Sequence, residues 1–123
     1  MNNIFKYSLF TGDISKWNVS NVTSMISMFF SAKNFNQLID SWNVSKVTDM
    51  LDMFSYAKEF NQPLNNWNVS NVTSMINMFS NATSFNQPLN NWCVSKISSL
   101  PTDFGTNSKI IALPVWGTCP ITP

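Results

Sequence analysis

Apolar and polar positions in this chain repeat as whole blocks rather than as single alternations. The text WNVSNVTSMINMFSNATSFNQ from Trp67 recurs from Trp42 as WNVSKVTDMLDMFSYAKEFNQ and from Trp17 as WNVSNVTSMISMFFSAKNFNQ, so that Trp17, Trp42, Trp67 and Trp92 stand 25 residues apart. A fixed period of roughly 20 to 50 residues marks an array of coils, each unable to bury its apolar side without neighbours.

Within a block, Trp67 and Val69 lie two apart and point to one side of a short strand, while Asn66, Asn68 and Ser70 alternate outward. After a turn at Ser70 and Asn71, Val72 returns to the core and Thr73 stands where it would cap a helix. Met75, Met78, Phe79 and Ala82 then follow the i, i+3, i+4, i+7 spacing of one helix face, as do Met50, Met53, Phe54, Ala57 and Met25, Met28, Phe29, Ala32. The pattern therefore predicts an α/β repeat, a solenoid of about four 25-residue coils, each a short strand plus a short helix. Residues 1–123 form one repeat domain: a partial N-terminal coil at 1–16, regular coils at 17–41, 42–66 and 67–91, a degenerate coil at 92–116 and a C-terminal cap at 117–123. In the degenerate coil Pro101 and Gly105 leave room for about one helical turn. Leu113 and Trp116 repeat the L-x-x-W spacing and predict a fifth strand.

Composition narrows the function. The chain is 44% hydrophobic but only 11% charged, with a net charge of +1, no His, and seven Lys scattered along it. That gives no electrostatic footprint for nucleic acid. No stretch approaches the ~20 apolar residues of a membrane span, and MNNIFKYSLF lacks the features of a signal peptide. The six carboxylates, Asp13, Asp40, Asp49, Asp52, Glu59 and Asp103, form no column from coil to coil, and two Cys 26 apart make no C-x-x-C site. The chain is therefore expected to be no enzyme and to carry no cofactor or metal. The Met-rich stripe is read as core packing rather than a copper surface.

The candidate ligand surface is the outward strand face, where Ser15, Lys16, Asn18, Asp40, Ser41, Asn43, Asn65, Asn66, Asn68, Asn90 and Asn91 form repeating polar columns. Such a face suits a protein loop or a glycan. Recurring Asn and Ser are also placed to bond backbone groups in the turns. Cys93 replaces an outward Asn, and Cys119 lies on the proposed fifth strand, so a disulfide between them would pin the cap. The coil offset makes that pair diagonal, with Cα atoms about 7–8 Å apart against the ~5.5 Å that disulfides prefer. The open N-terminal coil invites self-association.

The motif W-N-V-S-x-V-T-x-M-x-x-M-F-x-x-A-x-x-F-N-Q-P-L, from Phe10 to about Phe104, resembles the repeat of the BspA-like leucine-rich-repeat surface proteins. The resemblance implies a leucine-rich-repeat-like solenoid and a non-catalytic binding or adhesion module at the cell surface or outside the cell. The alternative is a structural protein that stacks end to end or joins a larger particle such as a virion. Without a signal peptide, a cytoplasmic or virion-associated place stays open.

Overall fold

The fold turns on where the backbone amides of the Met-rich segments find their acceptors. In the computed structural model, which describes residues 1–120, these amides bond to the next coil. Met25, Ser27, Phe29 and Ser31 donate to the carbonyls of Asp49, Leu51, Met53 and Ser55 at 2.8–3.0 Å, and Met50, Asp52, Phe54 and Tyr56 donate to Ser74, Ile76, Met78 and Ser80 in the same way. The intervening amides close turns within the segment, as in Met28 to Met25, Phe30 to Ser27 and Ala32 to Phe29. Every second amide thus points along the stack and every other one stays local. The result is a ribbon of overlapping β-turns over residues 25–32, repeated at 50–57 and 75–82.

This corrects the α/β solenoid of strand-plus-helix coils. Among the described residues no helix forms, and extended pairing is confined to two isolated parallel bridges, Ser24 with Asp49 and Asp49 with Ser74. The helix is excluded by its own residues. Ser27 and Ser31, Asp52 and Tyr56, and Asn77 and Asn81 all hold φ between 53° and 59°. A left-handed residue every four positions suits the third place of a type II turn and cannot sit in an α-helix. Ser, Asn and Asp favour this outcome because their side chains compete for the backbone and tolerate positive φ better than most residues. A helix would also consume internally the amides that here tie one coil to the next. Thr73 is accordingly no helix cap: its amide and its hydroxyl both donate to the Thr48 carbonyl, as those of Thr48 do to Thr23.

The predicted strands are likewise replaced by turns. Trp17, Trp42, Trp67 and Trp92 donate their amides to the residue three back, at Ile14, Ile39, Leu64 and Leu89, and Val22, Val47 and Val72 do the same to Val19, Val44 and Val69. Coils are joined here by side chains. The indole Nε1 of Trp42, Trp67 and Trp92 donates to the carbonyls of Ile14, Ile39 and Leu64 in the preceding coil, at 2.8–3.0 Å.

Five ribbons stack, not four. Positive-φ pairs at Asn3 and Tyr7 and at Asp103 and Asn107 show that residues 1–8 and 101–108 make ribbons of the same kind. Asn3, Phe5 and Tyr7 donate to Ile26, Met28 and Phe30, and Asn77, Phe79 and Asn81 donate to Thr102, Phe104 and Thr106. The N-terminal segment expected as a partial coil at 1–16 therefore begins with a full ribbon. The expected fifth strand at Leu113–Trp116 is an irregular segment, which pairs with the fourth coil where Leu89 donates to Ala112 and Val94 to Thr118. Residues 121–123 of the proposed cap lie outside the described residues.

Inside the stack the Met, Phe and Ala positions picked out by their spacing are all buried. Phe5, Phe29, Phe54 and Phe79 form one column with centroids 5.4–5.5 Å apart, and Phe35, Phe60 and Phe85 a second at 5.7–5.8 Å. Within a coil the two columns touch at 4.1–4.3 Å, so the phenyl rings make one offset-stacked array along the axis. No buried side-chain nitrogen or oxygen among the described residues lacks a hydrogen bond.

Candidate functional site

The polar candidates sit on turn tips instead of on strands. Ser15 and Lys16, Asp40 and Ser41, Asn65 and Asn66, and Asn90 and Asn91 are the two central residues of the turns that end in Trp17, Trp42, Trp67 and Trp92. All eight are exposed or half-buried. Neighbouring tips contact each other: the Ser41 hydroxyl donates to the Ser15 carbonyl at 3.4 Å, the Asn91 amide donates to Asn65 Oδ1 at 2.9 Å, and Asn65 Nδ2 donates to Asn90 Oδ1 at 3.4 Å. The candidates of adjacent coils therefore come together along one edge of the stack.

Asn18, Asn43 and Asn68 have a different task. Their Oδ1 atoms accept from the amides of Ser20, Ser45 and Ser70 at 3.0–3.1 Å, closing an Asx-turn in each coil. Asn18 and Asn68 also take the hydroxyls of Ser20 and Ser70 at 2.6 Å. Their acceptor oxygens are thus engaged by the fold, as is Asn65 Oδ1 at the turn tips, whereas the side chains of Lys16, Asn66 and Asn91 make no hydrogen bond among the described residues. Beside them the Asp13 carboxylate accepts from the Ser15 amide at 2.8 Å, and the Ser15 hydroxyl and amide hold its pKa below the ordinary value.

A second exposed feature was missed in the sequence. On the ribbon side Tyr7, Phe30 and Tyr56 run across three coils, with centroids 5.6 and 5.8 Å apart in edge-on contact. Tyr7 is 67% and Tyr56 42% exposed. The Lys6 ammonium lies 5.5 Å from the Tyr7 ring centre and 5.3 Å from that of Phe30. The available signal was the departure from the repeat: Phe30 stands where later coils have Ser55 and Ser80, and Tyr56 where they have Ser31 and Asn81.

At the far end Cys93 and Cys119 lie side by side with their sulfurs in contact and Cα atoms 4.0 Å apart. The expected diagonal offset is absent, because the Val94 amide bonds to Thr118 and sets the two cysteines directly across from each other. Gly117, at φ 79°, makes the bend. Among the described residues no three of His, Cys, Asp or Glu come together, and no helix is long and apolar enough to cross a membrane.

No curated protein and no solved structure matches the chain. One family does match, over residues 1–113, which takes in all five ribbons and their phenyl columns. The chain belongs to that family, described as Mycoplasma protein of unknown function, DUF285.

Proposed function

We propose that the chain is a non-catalytic binding module of the BspA-like surface type, acting at the cell surface or outside the cell, with a glycan or protein loop as its ligand. The observation that carries this reading is the edge of stacked turn tips. There Lys16, Ser41, Asn66 and Asn91 project at corresponding positions of successive coils, on a backbone already fixed by hydrogen bonds between the coils. A rigid row of amides and hydroxyls loses little freedom when it meets a partner, which favours polar recognition without a deep pocket. The nearly uncharged composition suits ligands rich in hydroxyl and amide groups.

The test is a variant in which Lys16, Ser41, Asn66 and Asn91 are all changed to Ala. Asn18, Asn43 and Asn68 stay intact so that the turns hold. Binding to a glycan array and to immobilised matrix proteins is expected to fall at least tenfold while the melting temperature stays within a few degrees. Undiminished binding by the folded variant would exclude this edge as the site.

A further inference from the structure

The boundaries between coils share one kind of contact. At least three ribbon amides of one coil donate to carbonyls of the next, and at the three boundaries joining the first four coils a tryptophan indole of the later coil donates back to the Ile or Leu carbonyl of the earlier one. The two end faces carry the separate halves of that set. On the face of the last ribbon the amides of Asp103, Gly105 and Asn107 occupy the donor positions of Asn77, Phe79 and Asn81 and have no partner among the described residues. On the face of the first ribbon the carbonyls of Asn2, Ile4 and Lys6 occupy the acceptor positions of Ile26, Met28 and Phe30, again without a partner among the described residues. The Trp17 indole, equivalent to Trp42, has no acceptor there either, and the carbonyl of Leu113, equivalent to Ile14, has no donor.

Side chains agree with the backbone. Ile4, Leu9, Phe10 and Trp17 are exposed on the first coil, and Leu100 and Leu113 on the last. In the last ribbon Gly105 takes the backbone place of Phe79 while the Phe104 ring packs edge-on to Phe79 at 5.5 Å, and a hollow of about 200 Å³ beside Gly105 is lined by Leu100, Phe104, Ile110 and Leu113. Apolar surface and unpaired ladder groups on one face are the combination that adds another strand or ribbon to an edge.

We infer that the chain stacks head to tail on a second copy, the ribbon 101–108 of one receiving the ribbon 1–8 of the next. The amides of Asp103, Gly105 and Asn107 bond to the carbonyls of Asn2, Ile4 and Lys6, and the Trp17 indole bonds to the Leu113 carbonyl. The two surfaces differ, so the contact is heterologous and does not end at two copies. It uses none of the side chains of Lys16, Ser41, Asn66 and Asn91, and stands or falls apart from the binding reading.

Sedimentation velocity over micromolar to millimolar concentrations, with Trp fluorescence in parallel, tests this. The wild type is expected to pass from 13.9 kDa monomers to a ladder of larger species, with a blue shift as Trp17 leaves water. Ile4→Arg places a charge on the first face, and Gly105→Pro removes the central donor of the last. Each variant alone is expected to stay monomeric. Mixed, they retain one sound face apiece and are expected to form a dimer and nothing longer. A wild type that stays monomeric throughout overturns the inference. So does self-association that survives Ile4→Arg, or a mixture of the folded variants that forms no dimer. Should Gly105→Pro fail to fold, Leu113→Arg replaces it in the same mixing experiment with the same expected outcomes.

Discussion

Trp42, Trp67 and Trp92 each do two jobs. Trp67 is buried between coils, and its Nε1 donates at 3.0 Å to the Ile39 carbonyl, which also accepts the Trp42 amide. Truncation to Ala removes both packing and bond and is expected to cost about 3–5 kcal/mol, enough to unfold most of the chain at 37 °C. Trp67→Phe keeps most of the apolar bulk and loses the donor, so a smaller loss of about 1–2 kcal/mol is expected. Urea melts of the two variants separate the contributions; a Trp67→Phe variant as stable as the wild type would mean the bond adds nothing. That Trp67 belongs to the core was legible from its period. Its hydrogen bond was not, because nothing in the sequence says which carbonyl of the preceding coil an indole will reach.

At the scale of the element, the spacing Met75, Met78, Phe79, Ala82 was legible as one buried face but pointed to the wrong backbone. Side chains three and four apart share a face in a helix, and they also share one in a ribbon of successive turns, so periodicity does not separate the two. What separated them was the identity of the residues between: Asn77 and Asn81, Asp52, Ser27 and Ser31 sit where φ turns positive. Asn77 gives a direct check. Asn77→Gly is expected to be neutral or stabilising, whereas Asn77→Val, a β-branched residue at φ 57°, is expected to lose about 1–2 kcal/mol or more. In a helix the order would be reversed, since Gly is the poorer helix former. Thermal melts of both variants distinguish the two backbones. The turn-tip pairs were picked out in the sequence as outward polar groups. The bonds that tie down Asn18, Asn43 and Asn68 set those three apart only once the turns were seen.

For the whole molecule, the repeat was legible and its ends were not. The positive-φ pairs step by 24, 25, 25 and 26 residues from Asn3 to Asp103, so the outer ribbons lie off the strict period that made the middle visible. The far end depends on Cys93 and Cys119. With their Cα atoms 4.0 Å apart, a bridge is expected in protein from an oxidising compartment, where it would contribute roughly 3–4 kcal/mol in the chain-entropy model. Thiol counting on denatured, unreduced protein checks it. Reduction is expected to loosen the last coil first, read as faster amide exchange at Val94 than at Met50. Two free thiols in native material would remove the bridge and its support for a surface location.

The one-coil reach of the cross-coil bonds also bears on how the chain folds. Main-chain bonds between ribbons join residues 23 to 25 apart, and the indole bonds span 28. Every such closure therefore involves a loop of similar, moderate length, and none requires the two termini to meet. Search time is then set by winding one coil onto another, after which growth proceeds like a zipper in either direction. Coils added by duplication would deepen the native well without raising the first barrier. A chain lengthened by one copy of Trp17–Gln37 with its linker is therefore expected to fold by the same route.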